Sequence, residues 1–161
     1  MNQFLVFEVA GRRLALPASA LHEVVRAVAI TPLPKAPPIV EGVVNVRGTL
    51  VPALDIRQRF GLPGVPVAPG QHLLIARAGS RTVALRVDRA LDLIAVDKSA
   101  IASAARVAPG AEYVAGIAKL PDGVLVIHDL ERFLSLDEAA DIDAALTGEA
   151  AGTPARRRGA H

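Results

Sequence analysis

Val40-Glu41-Gly42-Val43-Val44-Asn45-Val46-Arg47-Gly48-Thr49-Leu50-Val51-Pro52-Ala53-Leu54-Asp55 is the stretch on which the fold turns. Two runs rich in Val and Leu flank an Arg-Gly break. That pattern predicts two strands joined by a tight turn, with Gly48 supplying a residue that tolerates positive φ. The arginine is then a cationic fork on a rigid tip, placed to meet a partner and not to fill a core.

Toward the N-terminus, Phe4-Leu5-Val6-Phe7-Glu8-Val9 predicts an apolar strand, Ala10-Gly11-Arg12-Arg13 a turn, and Leu14-Ala15-Leu16-Pro17 the return strand. Ala18-Ser19-Ala20 starts like a helical turn after Pro17, and a β-branched run follows as far as Ile30. Thr31-Pro32-Leu33-Pro34-Lys35-Ala36-Pro37-Pro38 is neither helix interior nor central strand, because its prolines remove backbone donors. It reads as a rigid connection into the opening hairpin. Gly61-Leu62-Pro63-Gly64-Val65-Pro66-Val67-Ala68-Pro69-Gly70 is a second Pro/Gly loop and the natural internal boundary.

From His72 the chain begins again. Leu73-Leu74-Ile75-Ala76-Arg77-Ala78-Gly79 matches Leu5-Val6-Phe7-Glu8-Val9-Ala10-Gly11 at an offset of 68. After a one-residue gap, Val83-Ala84-Leu85 matches Leu14-Ala15-Leu16, and Asp92-Leu93-Ile94 matches Glu23-Val24-Val25. Val114-Ala115-Gly116-Ile117 matches Val40-Glu41-Gly42-Val43 at an offset of 74, which also pairs Asp55-Ile56 with Asp129-Leu130. Two copies of about five short strands each suggest two small closed barrels, an arrangement that removes exposed sheet edges. The second hairpin turns through Pro121-Asp122-Gly123 where the first has Arg47-Gly48-Thr49. The hairpin can therefore be made without an arginine, and Arg47 is expected to do something besides folding. Beyond Phe133-Leu134, Ser135 can cap a helix over Leu136–Leu146 with an acidic first turn, stopped by Gly148; residues 149–161 read as a flexible basic tail.

Composition narrows the function. The 161 residues are 52% apolar, 3% aromatic and 21% charged, with 13 Gly and 12 Pro as punctuation. A chain of this length can bury about 68–70% of its unfolded surface, so it needs no metal or disulfide to fold, and there is no cysteine to make one. The N-terminus has no basic run followed by a long apolar segment, and no apolar run reaches the ~20 residues of a membrane span, so a cytoplasmic protein is expected. The pI is 9.5. However, taking Arg156, Arg157, Arg158 and Glu149 out of totals of 18 basic and 16 acidic residues leaves the body neutral. With one Tyr and no Trp, the chain offers few stacking platforms for nucleic acid.

Catalytic chemistry is not legible either. His22, His72, His128 and His161 show no ligand spacing, and His128 aligns with Leu54 inside a strand run, which favours a structural histidine over a metal ligand. Asp55 follows an apolar strand, but the second acidic residues and α/β pattern of a phosphoacceptor site are missing. Its twin Asp129 sits at the same place, so capping is the better account. No phosphate-binding or nucleophile motif is present. No enzyme, cofactor or metal site is expected, and an apolar, aromatic-poor surface for protein–protein contacts remains.

The residues that carry a family likeness are Phe4-Leu5-Val6-Phe7 with Gly11, Leu21-His22-Glu23-Val24, and Ile30-Thr31-Pro32-Leu33-Pro34-Lys35-Ala36-Pro37. To these add Gly42-Val43-Val44-Asn45-Val46-Arg47-Gly48, Val51-Pro52-Ala53-Leu54-Asp55-Ile56-Arg57, Val87-Asp88, Tyr113-Val114-Ala115-Gly116 and Leu130-Glu131-Arg132-Phe133-Leu134. Over about residues 4–136 the chain resembles the CheW coupling proteins of bacterial chemotaxis. The resemblance implies an all-β fold of two intertwined five-stranded SH3-like barrels followed by a short C-terminal helix. It divides residues 1–136 into one subdomain of about 15–70 and another of about 1–14 and 71–136, with the helix at 137–148 and the tail at 149–161.

The resemblance also implies an adaptor joining the cytoplasmic tip of methyl-accepting chemoreceptors to the regulatory domain of the histidine kinase CheA, itself CheW-like, so that barrels of similar kind pair. Neither nucleic acid nor direct membrane contact is expected, although the protein would be recruited to membrane-associated receptor arrays. Carried over position by position, the receptor-binding residues are Leu21, Glu23, Val24, Arg47, Leu73 and Leu93. The four apolar residues would form a helix-binding groove, and Glu23 and Arg47, which could pair with each other, would supply its charge selectivity. Kinase contacts are not assignable. Two alternatives stay open: a paralogue that binds kinase but not receptor, and a small barrel that binds nucleic acid through its arginine tail.

Overall fold

A computed structural model describes residues 2–27, 29–79, 81–103, 114–121, 123–129 and 138–146. Eleven strands are described: β1 (Asn2–Val9), β2 (Arg12–Pro17), β3 (Leu21–Arg26), β4 (Val40–Val46), β5 (Thr49–Asp55), β6 (His72–Ala78), β7 (Arg81–Val87), β8 (Arg89–Val96), β9 (Ile101–Ser103), β10 (Val114–Leu120) and β11 (Gly123–His128). A short helix α1 (Ile56–Arg59) follows β5, and a second helix, α2, spans residues 138–146. The expected helical turn after Pro17 is a 3₁₀ turn at Ala18–Ala20. The expected cap is the Asp55 side chain, which accepts from Arg57 N at 3.0 Å at the start of α1. The expected Ser135 cap, the Gly148 stop and the tail lie outside the described residues.

The strands form two sheets of matching order. One runs β8-β1-β2-β11-β10-β9 and the other β3-β6-β7-β5-β4. Each sheet takes its opening hairpin from one copy of the repeat and its remaining strands from the other, which is how the two barrels are intertwined. This grouping differs from the subdomain boundaries expected above. Residues 72–87 pair with β3 and β5 in the first copy's sheet, and the whole of β2 joins the opposite one.

Strand pairing also corrects the repeat. In the hairpins Val9 pairs with Arg12 and Ala78 with Arg81, so Ala78 occupies the place of Val9 and the true offset is 69 with no gap. Matching the Ala-Gly turn residues by type displaced β6 by one position, and a one-residue slip sends every side chain to the wrong face.

The correct register explains why β1, β2, β6 and β7 are continuously apolar. Leu5, Phe7, Leu16, Leu74 and Leu85 point into a core shared by the two sheets. Their alternates Phe4, Val6 and Ala15 fill one barrel, and Leu73, Ile75 and Ala84 fill the other. Each fully buried Leu, Ile or Phe stabilises the fold by about 1.5–3 kcal/mol. Strands buried on both faces cannot alternate with polar residues. Helix α2 closes one side, with Ile142 in the shared core and Ala145 against Leu33 and Val43. Ion pairs of Arg59 with Glu138 and Arg81 with Asp143 hold it.

Polar residues tie the crossover loop 61–70 to this body. Arg86 is buried, and all its N–H groups are used: Nε and Nη2 donate to Glu41 at 2.8 and 2.6 Å. Nη2 also reaches Val65 O at 2.8 Å, and Nη1 donates to Gln71 Oε1 and Pro66 O at 3.0 and 3.3 Å. Beside it, Asp88 receives Arg57 Nη2 at 2.8 Å and the Ala10 amide of the β1–β2 turn at 2.8 Å. Burial pushes the Asp88 carboxyl up, but hydrogen bonds from Arg57 and Ala10 outweigh it and hold the group below its ordinary value.

Candidate functional site

The quoted hairpin is β4–β5. Val46 pairs with Thr49 across a two-residue loop in which Arg47 and Gly48 both have positive φ, 51° and 87°, as a type I′ turn requires. Asn, Asp or Gly normally takes the first of these positions, and a long side chain there carries a backbone penalty. Asn45 offsets part of it by accepting from Gly48 N at 2.7 Å. In the second copy Leu120 pairs with Gly123, and Pro121 stands at the position of Arg47. A proline φ near −65° cannot make the same turn.

Arg47 does not point freely into solvent. Its Nη2 donates to Glu23 Oε1 at 2.8 Å and its Nη1 to Oε2, a two-pronged pair that joins the hairpin tip to β3. The Arg47 side chain stays 77% exposed while the Glu23 side chain is 24% exposed, so the arginine remains presented to solvent although it is paired. The hydrogen bonds and charge of Glu23 hold the Arg47 pKa above its ordinary value, keeping it cationic.

Strands β3 and β4 are the two outer strands of their sheet, and an opening of about 320 Å³ lies between them. Val25, Val44, Val46 and Leu73 make its apolar floor, and Glu23, Arg26, Asn45 and Arg47 stand around it. The backbone closes the other end, where Thr31 and Val43 exchange hydrogen bonds of 2.9 and 2.7 Å. Gly42 permits that approach, because a Cβ there would lie 2.1 Å from Thr31 O.

These positions sort the expected receptor-binding residues. Glu23 and Arg47 meet at the opening. Leu73 is 0% exposed and belongs to the barrel core, so it supports the opening from beneath and is not a surface contact. Leu21 packs on the shared core. Val24 (37% exposed) and Leu93 (57% exposed) are equivalent residues on β3 and β8, outer strands of opposite sheets, and neither lines the opening. The four apolar residues therefore do not converge on a single groove at the ion pair. Val25, Arg26, Val44 and Val46 line the opening and are not among the expected residues. Period-two alternation from Glu23 selects Val25 over Val24, a signal the sequence did contain.

The remaining candidates are structural. His128 is buried against the Phe60 ring with centroids 5.6 Å apart; burial, and then the nearby Arg59 charge, push its pKa down to about 3. No group of three or more His, Asp or Glu with metal-binding geometry occurs among the described residues. No helix among them is long and apolar enough to cross a membrane.

Comparison with known proteins decides the family: the profile described as the CheW-like domain matches residues 3–138. The chain belongs to the CheW-like family. It is similar to the chemotaxis protein CheW of Klebsiella aerogenes, with 27% identity over 88% of this chain and 87% of that protein. It also resembles protein FrzA of Myxococcus xanthus, with 32% identity over 57% of this chain and 58% of that protein. In three dimensions it is similar to the scaffolding protein TtCheW from Thermoanaerobacter tengcongensis, with a TM-score of 0.77 and 28% identity, covering 85% and 94% of the two chains. This CheW-like chain is thus a chemotaxis coupling, or scaffold, protein and not an enzyme.

Proposed function

We propose that this CheW-like protein is a cytoplasmic adaptor that couples the tips of methyl-accepting chemoreceptors to the regulatory domain of the histidine kinase CheA. The observation that carries the reading is Arg47. It occupies a turn position that disfavours it, pairs with Glu23 across two outer strands, and keeps most of its side chain exposed. Its repeat counterpart is Pro121. A residue tolerated at a backbone cost on a rigid tip fits a binding role. Receptor contact through Glu23 and Arg47, supplemented by the exposed Val24 and Leu93 on the outer strands of the two sheets with Leu21 in support beneath, and kinase contact through other barrel faces, complete the adaptor.

The test is a three-component pull-down of the full chain with a receptor-tip fragment and the kinase regulatory domain. Arg47→Asn suits the type I′ turn and should leave the melting temperature within about 4 °C of the native value. It should weaken receptor binding at least tenfold, as loss of an interface hot spot does. Unchanged receptor binding by this variant would remove Arg47 from the interface. A native chain that binds kinase but never receptor would replace the adaptor by a kinase-only paralogue.

A further inference from the structure

The two barrels share one plan but close their walls differently. In the sheet containing β8, the segment after that strand forms β9, and three successive pairs, Ser103–Gly116, Ala102–Ile117 and Ile101–Ala118, seal it to β10. At the equivalent place in the other barrel only Thr31–Val43 pairs among the described residues. The pair equivalent to Ile101–Ala118 would be Ile30–Val44, and it does not form. The first barrel is left with the opening between β3 and β4, bounded by the Thr31–Val43 bridge at one end and the Glu23–Arg47 pair at the other. In the second barrel Asp92 takes the place of Glu23 but turns back on its own strand, its Oδ1 accepting from Leu93 N at 2.8 Å.

Size and charge say what the opening suits. At about 320 Å³ it is more than twice the roughly 150 Å³ of an apolar cavity that accommodates benzene. Its floor of Val25, Val44, Val46 and Leu73 is continuous with the barrel core. Two cations, Arg26 and Arg47, stand at it against one anion, Glu23, so the surround is net positive. An apolar hole within a cationic surround is complementary to an apolar side chain carried next to a carboxylate.

We infer that the opening in the first barrel's wall is a socket for one large apolar side chain, flanked by an acidic residue, on the receptor segment that the adaptor binds. Arg26 is its second, specificity-determining cation. This rests on the adaptor reading and adds to it a contact separate from the exposed side chains of Val24 and Leu93.

Two variants of the full chain test the socket, with receptor-tip fragment and kinase regulatory domain titrated separately. Val46→Phe fills the hole from its edge, and Arg26→Glu reverses the second cation while leaving the hole open. Each is expected to weaken receptor binding at least tenfold, with kinase-domain binding within twofold and an unchanged circular-dichroism spectrum. If the native chain fails to bind the receptor fragment, the adaptor reading itself falls. If the native chain binds and both variants bind within twofold of it, the adaptor stands and the socket is wrong. Should Val46→Phe fail to fold, Arg26→Glu decides alone. Loss of kinase binding with receptor binding intact would also overturn the assignment.

Discussion

Replacing Arg86 by Met is the sharpest test of how the exchanged hairpins are held. Arg86 sits on β7, a strand contributed to the first copy's sheet by the second copy, and its side chain is 4% exposed. Methionine keeps much of the volume but removes donors to Glu41, Gln71 and two carbonyls of the crossover loop. Breaking a buried ion pair from one side costs about 3–5 kcal/mol, chiefly by stranding the remaining charge. Glu41 retains some access to water, with its side chain 20% exposed, so about 3 kcal/mol is the appropriate figure. At about 2–4 °C per kcal/mol for a domain of this size, the melting temperature should fall by about 6–12 °C. Circular-dichroism melts at neutral pH measure this directly, with Arg77→Met on the exposed face of β6 as the reference, expected within about 2 °C of native. Adding Glu41→Leu removes the stranded carboxylate and should recover at least half of the loss. A single variant that melts within about 2 °C of native would refute the reasoning, because the network would then contribute no net stability.

Gly42→Ala should destabilise by at least about 2 kcal/mol, because its Cβ would meet backbone oxygen of Thr31, whereas Gly116→Ala, with 2.8 Å to Ala102 O, should cost less; paired denaturant titrations rank them. His128 stays neutral in the folded protein while the unfolded chain takes up a proton below pH 6.5, so stability falls as pH drops. Between pH 7 and pH 5 this amounts to about 2 kcal/mol, and His128→Leu, which restores the residue type of the equivalent Leu54, should remove it from the pH profile of unfolding. Asp88 has a depressed carboxyl pKa, so its contribution is present above the ordinary carboxylate range and is lost as pH falls through the folded value. Asp88→Asn should lower stability at pH 7 and flatten the acid limb, read from melting temperatures across that range.

Local signals made much of this protein legible. The Arg-Gly break located a two-residue turn, and the β-branched runs located the strands on either side. Prolines at 32 and 34 announced a segment that could not become a strand. The second copy shows that a hairpin can close here without an arginine, although through Pro121 it closes by a different turn from the one Arg47 occupies. The one-residue error at β6 had a definite cause: Ala78-Gly79 looks like Ala10-Gly11, yet the turn residues of that hairpin begin at Gly79. For a strand buried on both faces, no polar alternation flags such a slip. The same ambiguity put Leu73 at the surface, because an isolated apolar strand does not declare which of two cores each side chain will enter.

By itself, the sequence determined the all-β class, the duplication, the hairpin tip and the family resemblance, since each rests on residue type and spacing within a few positions. Only the tertiary structure decided that the copies exchange their opening hairpins, that Glu23 and Arg47 join across outer strands, and that one barrel wall is left open. Those outcomes depend on which distant strands pair. Pairing is chosen by the burial of both faces at once, a global condition that spacing along the chain does not encode.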